Sequence, residues 1–213
     1  MNVEKDMNKS KDEVIINNIS YSLDELEKDC WIRLVNGAVK IKDPFHTPCV
    51  ATLNNGEVSM RTVVLRKSLP LLRILRFHTD IRSNKWKELE INNSISALFY
   101  DPSSHIQLRV KGKASFNFND EIASEAWQNT SLSSRRCYLT NSSPSSFTEF
   151  PTSGLSDQIE QENFTLEESE VGQVHFGVVS INVESIDWLW LDHAGHRRAH
   201  FDYMLKKYSW MIP

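Results

Sequence analysis

The apolar positions of the chain change period several times, and each change marks an element. Ser22 followed three residues later by Glu25 has the spacing of a capping box. Behind it Leu23, Leu26, Cys30, Ile32, Leu34 and Val35 recur close to helical spacing, which predicts a helix over 22–37 ended by Gly37. The period then shortens. CVATL and VSMRTVVLR are β-branched runs on either side of Asn55-Gly56, a strong hairpin signal. ILRFHT predicts a third strand and ISALFY a fourth, with SNKWKELEIN as a helix between them. In HIQLRVKGKASFN, Gln107, Arg109 and Lys111 alternate against Ile106, Leu108 and Val110, the period of a sheet wall with one polar face. EIASEAWQNTSLSSRRCYL reads as helical with a Ser/Thr-rich middle, and HFGVVSINVESIDWLWL returns to β character before HAGHRRAHFDY and a C-terminal aromatic segment.

Two stretches have no period. Residues 1–18 are polar and mixed in charge and read as a flexible leader. Residues 140–170, rich in serine and acid, read as a mobile insertion or lid, since long loops inside a domain are functional or disordered. The remainder, 19–213, is expected to be one mainly β domain with peripheral helices, an α+β arrangement without internal repeats.

Composition narrows the function. A chain of 213 residues with 40% apolar and 24% charged positions has enough material for one sizeable core. Its net charge of −4 argues against general nucleic-acid binding, so any basic feature is local. The first 20 residues lack the apolar stretch of a signal peptide and no run has the length of a membrane span, so a cytoplasmic protein without membrane partners is expected. Cys30, Cys49 and Cys137 are widely spaced without a CxxC, which predicts reduced, structural thiols. His193, His196 and His200 read as a polar turn, and no metal site is expected.

The local basic feature lies in RTVVLRKSLPLLRILRFHTDIRSNK, residues 61–85. Arg61 and Arg66 bracket an apolar strand, and Lys85 falls just inside a helix starting near Ser83. A helix N-terminus offers unpaired N–H groups and partial positive charge, so these three cations would cradle a phosphomonoester. Thr79 and Ser83 could add hydroxyl donors, and Gln107 can both donate to and accept from a polar heterocycle. Arginines on strands are also common at solvated sheet edges, and spacing does not decide between the two.

RTVVLR, FHTDIRSNK and IQLRVKG, in this order, resemble the flavin-binding pattern of the pyridoxamine 5'-phosphate oxidase family: R-x-V-L-L-K, then F-Y-T-N-x-x-S-R-K, then Q-V-x-V-x-G. The resemblance covers residues 45 to 115. WQNTSLSSRR and HRRAHF are most similar to its divergent branch of FMN-binding proteins. It implies a split β-barrel homodimer with FMN at the subunit interface and a small-molecule substrate. Carried over by position, Arg61, Thr62, Val63, Val64, Leu65 and Arg66 would line the flavin. His78 and Thr79 would stand at the Tyr-Thr pair, with Ser83, Asn84 and Lys85 at the phosphate. Gln107 would bond the isoalloxazine, Trp190 or Trp188 would be the family's tryptophan, and Arg198 with His200 would flank the substrate. The implied activity is oxidation of an amine or alcohol like pyridoxamine or pyridoxine phosphate by oxygen. The other implied reading is a non-catalytic FMN-binding module or flavin reductase of the same fold. The chain departs from the pattern at Asn84, where the family has arginine, and at Asp202, where it has a cation. Trp127 and Ser131 replace a substrate-binding tyrosine and arginine, leaving Arg135 and Arg136 as the nearby cations.

Overall fold

The capping box forms as expected: the Ser22 hydroxyl accepts from the Glu25 amide, and the Glu25 carboxylate accepts from the Ser22 amide at 2.9 Å. In the computed structural model, which describes residues 13–16, 18–161 and 164–213, this cap starts α1, Leu23–Val39. Gly37 does not end the helix. It lies inside α1 where the chain folds back, and a Cβ there would sit 2.7 Å from the Phe45 Cβ. The glycine thus marks a close approach, and the helix ends at Lys40, whose backbone is extended.

Part of the expected leader, residues 14–16, forms a strand. Residues 1–12 and 17 lie outside the described residues, but β1 (Val14–Ile16) pairs with β2 (Ile19–Tyr21), and Val14 and Ile16 are buried in the core. The Asn55-Gly56 hairpin joins β3 (Cys49–Asn54) to β4 (Glu57–Thr62). VSMRTVVLR is broken in two: Val63 and Val64 leave the ladder, the Val63 amide donates to the Pro48 carbonyl, and β5 begins at Leu65 (Leu65–Leu69). There follow β6 (Ile74–Asp80), α2 (Asn84–Ile91), β7 (Ser94–Asp101) and β8 (Ile106–Asn117). The predicted long helix splits at its Ser/Thr-rich middle into α3 (Glu121–Gln128) and α4 (Leu132–Arg135). Within 140–170 the described residues carry only two short helices, α5 (Asp157–Gln161) and α6 (Leu166–Ser169), and the fold closes with β9 (Phe176–Trp190), β10 (Arg197–Asp202) and β11 (Lys207–Met211).

Nine strands form one antiparallel sheet that does not close: seven follow the order β11-β10-β9-β8-β7-β3-β4, and β6, paired with β9, carries β5 on its other edge. The 15-residue β9 organises it. On one side it pairs with β8 along most of its length, and on the other with β6 over Phe176–Asn182 and with β10 over Ser185–Trp190. Between those halves the β8 ladder shifts register at Lys111/Gly112, where a Cβ on Gly112 would collide with the Asn182 carbonyl. The inner face carries the core, with Val50, Leu75, Leu108, Val110, Ile186 and Trp188 fully buried beneath α1. On the outer face, Trp127 of α3 packs with Tyr138, Phe176 and Val178 in a second cluster.

Candidate functional site

The segment 79–88 anchors a polar cluster of side chains drawn from several elements. Thr79, on the inner face of β6, is buried; the chain then turns through Ile81 and Arg82 into α2, whose N-cap residue is Ser83. The Ser83 side chain makes no cap bond. Its Oγ lies 3.2 Å from Thr79 Oγ1, and Lys85 Nζ donates to Thr79 Oγ1 at 2.8 Å and reaches Ser83 Oγ at 3.4 Å. Arg61 enters from β4: Nη2 donates to Ser59 Oγ at 2.6 Å and to Glu88 Oε2 at 2.8 Å, while Nη1 donates to Thr52 Oγ1. Thr52 Oγ1 in turn donates to Glu88 Oε2 at 2.5 Å. Burial and the nearby Arg61 charge push the Lys85 ammonium below its usual pKa, against the carboxylates of Asp80 and Glu88. Burial raises the Glu88 carboxyl, but the hydrogen bonds from Thr52 and Arg61 outweigh it and leave the pKa low. Thr79, Ser83 and Lys85 thus form one hydrogen-bonded group, and Arg61, bonded to Thr52, Ser59 and Glu88, lies near enough to act on the charge of Lys85. Asn84 is exposed beside them.

Arg66 is placed elsewhere. It lines a cleft of ≈ 580 Å³ between β6 and α3, with Arg76, His78, Ala126, Asn129 and Ser131. His78 meets Phe176 edge-on at 4.8 Å, and its buried Nδ1 has no partner among the described residues. Burial, helped by the Arg66 charge, lowers the His78 pKa to about 4, so the ring is neutral at physiological pH. Arg135 and Arg136 do not reach this cleft. Arg135 is buried over the Trp127 ring and bonded to Ser169, Glu170 and the Trp127 carbonyl, while Arg136 donates to the Ile159 carbonyl. Of the backbone stretch between the two arginines, Leu65 is core, Val63 packs against it, Val64 is half-buried and Thr62 is exposed.

The third group lies on the outer face of the sheet. Registers place Gln107, Leu189 and Arg198 in one row across β8, β9 and β10, and Arg109, Asp187 and His200 in the next. Asp187 binds both arginines, Arg109 Nη2 at 2.9 Å and Arg198 Nη2 at 2.7 Å, and these bonds overcome its burial to hold its carboxyl low. Trp188 is fully buried. Trp190 is half-buried and packs on the core side, opposite to Gln107.

Sequence reasoning missed Glu88, Asp187 and Arg109. The alternation of β8 had put Arg109 on the polar face beside Gln107, but nothing local pairs it with Asp187, 78 residues away.

An open antiparallel sheet with hydroxyls and a cation gathered at a helix start is a recognisable arrangement, and the comparisons show what it is similar to. Residues 28–117 match the model described as pyridoxamine 5'-phosphate oxidase, FMN-binding domain, which spans every element of the cradle. Among solved structures, a pyridoxamine 5'-phosphate oxidase-related, FMN-binding protein from Nostoc punctiforme is similar at 19% identity and TM-score 0.67, over 87% of this chain and 97% of that one. PhzG from Burkholderia lata, solved with tetrahydrophenazine-1-carboxylic acid, is similar at 15% identity and TM-score 0.61, over 90% of each chain. A protein related to general stress protein 26 from Clostridium acetobutylicum is similar at 14% identity and TM-score 0.52, over 85% of this chain and 99% of that one. The search of curated proteins returned no match. The fold is thus that of the FMN-binding split barrel. Among the described residues, no helix is long and apolar enough to cross a membrane.

Proposed function

We propose that this chain is an FMN-binding flavoprotein that works as a homodimer and oxidises a small amine or alcohol with oxygen. The observation that carries the reading is the convergence of Arg61, Thr79, Ser83 and Lys85 at the start of α2, which offers two cations and two hydroxyls to a phosphomonoester. The residues suit the whole group: Gln107 would supply an amide for the ring edge, and the Nδ1 of His78, without a partner among the described residues, would be a further polar contact for a heterocycle or its substrate. When bound, FMN would accept a hydride equivalent from the carbon bearing the amine or alcohol and pass both electrons to oxygen, giving hydrogen peroxide.

The faces of the sheet support the dimer. Arg61 is paired with Val50 and shares its inner face, whereas Gln107, Arg198 and His200 lie on the outer face. A flavin touching both groups would take the inner-face group from one copy and the outer-face group from another. Val58, Met60, Leu98 and Tyr100 leave an exposed apolar stripe on the same outer face, suited to cover by a second copy.

A specific observation supports the second reading, a non-catalytic FMN module or flavin reductase. With Trp127 and Ser131 in place of the substrate-phosphate residues, and Arg135 and Arg136 bonded elsewhere, only Arg66, Lys67 and Arg76 supply positive charge to the cleft. The test is purified protein, loaded with FMN, given pyridoxamine 5'-phosphate or pyridoxine 5'-phosphate under air. Peroxide at one equivalent per aldehyde formed supports the oxidase. Full flavin content with no peroxide supports the second reading.

A further inference from the structure

The inference rests on the flavin reading and concerns how firmly the flavin is held. Three cations surround the cradle, and two have their own carboxylate. Arg82 is clamped by Asp80, with Nε at 3.0 Å from Oδ1 and Nη2 at 2.6 Å from Oδ2, and it also donates to the Thr140 carbonyl. Arg61 is clamped by Glu88, which is only 6% exposed. Each Nη nitrogen carries two hydrogens, so the bonds from Nη2 to Ser59 and Glu88 use both, and the Nη1 bond to Thr52 uses one more. The Nη1/Nη2 edge needed for a bidentate grip on a phosphate is therefore already taken. Lys85, by contrast, contacts only hydroxyls among the described residues, and Asn84 adds no charge.

We propose that Glu88 is a built-in counter-anion that occupies the phosphate-facing edge of Arg61, leaving Lys85 as the single uncompensated cation and making FMN an exchangeable ligand of this protein. Glu88 lies one turn after Lys85 on α2, so the same helix supplies the cation for the phosphate and the carboxylate that opposes it. A dianionic phosphate beside one uncompensated cation and a buried carboxylate is under-neutralised. Removing that carboxylate's charge, while keeping its shape and hydrogen bonds, relieves a like-charge contact in a partly dry site.

The test compares FMN and riboflavin, which lacks the phosphate, by fluorescence titration into wild type, Glu88→Gln and Glu88→Asp, with thermal melts as a folding control. Glu88→Gln is expected to bind FMN about tenfold tighter than wild type, with riboflavin unchanged. Glu88→Asp, which retains the charge, is expected to stay within about threefold of wild type. If folded Glu88→Gln binds FMN no tighter, or gains equally for riboflavin, Glu88 is not the counter-anion and the inference fails alone. If the wild type binds FMN and riboflavin equally, or neither, the phosphate does not sit in this cradle and the flavin reading falls with it.

Discussion

Lys85 bonds Thr79 and Ser83 and feels the charge of Arg61, while Arg73, in the same basic stretch, stacks over the Tyr203 ring at 4.1 Å. Charge-assisted bonds to phosphate contribute about 1.5–3 kcal/mol, so Lys85→Ala should weaken FMN binding about 10- to 100-fold, while Arg61→Ala, which removes a guanidinium already held by Glu88, should weaken it less. Arg73→Ala should leave it nearly unchanged and lower the melting temperature instead, and calorimetric titration with melts on the three variants separates these roles. Asn84→Arg restores the missing cation at the exposed start of α2 and should tighten FMN binding. His78 makes a separate prediction. Its pKa is depressed in the folded state, so its contribution to stability is complete above pH 6.5 and is lost as pH falls toward about 4. The loss is up to about 3 kcal/mol. Melts from pH 7 to 4 should show this descent in wild type and a shallower one in His78→Gln; parallel curves would remove the burial argument. At this scale the sequence exposed the clustering of Thr79, Ser83 and Lys85, because a strand end followed by a helix start is a local pattern. It did not expose Glu88 or Asp187, since an ion pair across 27 or 78 residues is fixed only when the sheet assembles.

Element boundaries show where local pattern stops being sufficient. The period of β8, the capping box of α1 and the Asn55-Gly56 hairpin were readable because each depends on residues within one turn or hairpin. Gly37 looked like a helix stop and is a contact with Phe45, and the single run VSMRTVVLR is two strands because Val63 bonds Pro48 instead of a ladder partner. Both outcomes depend on chain packing against chain. The 15-residue β9 likewise needs its bulge, and Gly112→Ala should cost about 1–3 kcal/mol because its Cβ meets a backbone carbonyl that cannot rotate away. Urea unfolding measures that loss, and an unchanged midpoint would mean the bulge relaxes freely.

For the whole molecule, the proposed sharing of one site between the inner face of one copy and the outer face of another makes a prediction. Lys85→Ala and Gln107→Ala should each impair flavin binding as homodimers. Mixed dimers of the two variants, formed by unfolding and refolding together, should regain one good site per dimer, whereas a site built within one chain would regain none. Neither the sheet order nor this division was visible in the sequence beyond what the resemblance implied, because pairing β6 and β10 to the two halves of one strand is a long-range choice.

The most direct test of the account is FMN titration into the apo protein, followed by flavin fluorescence, with Lys85→Ala beside wild type. The account predicts saturable quenching at one FMN per chain and affinity reduced about 10- to 100-fold in the variant. No quenching in folded wild-type protein, or equal affinity in Lys85→Ala, would contradict it.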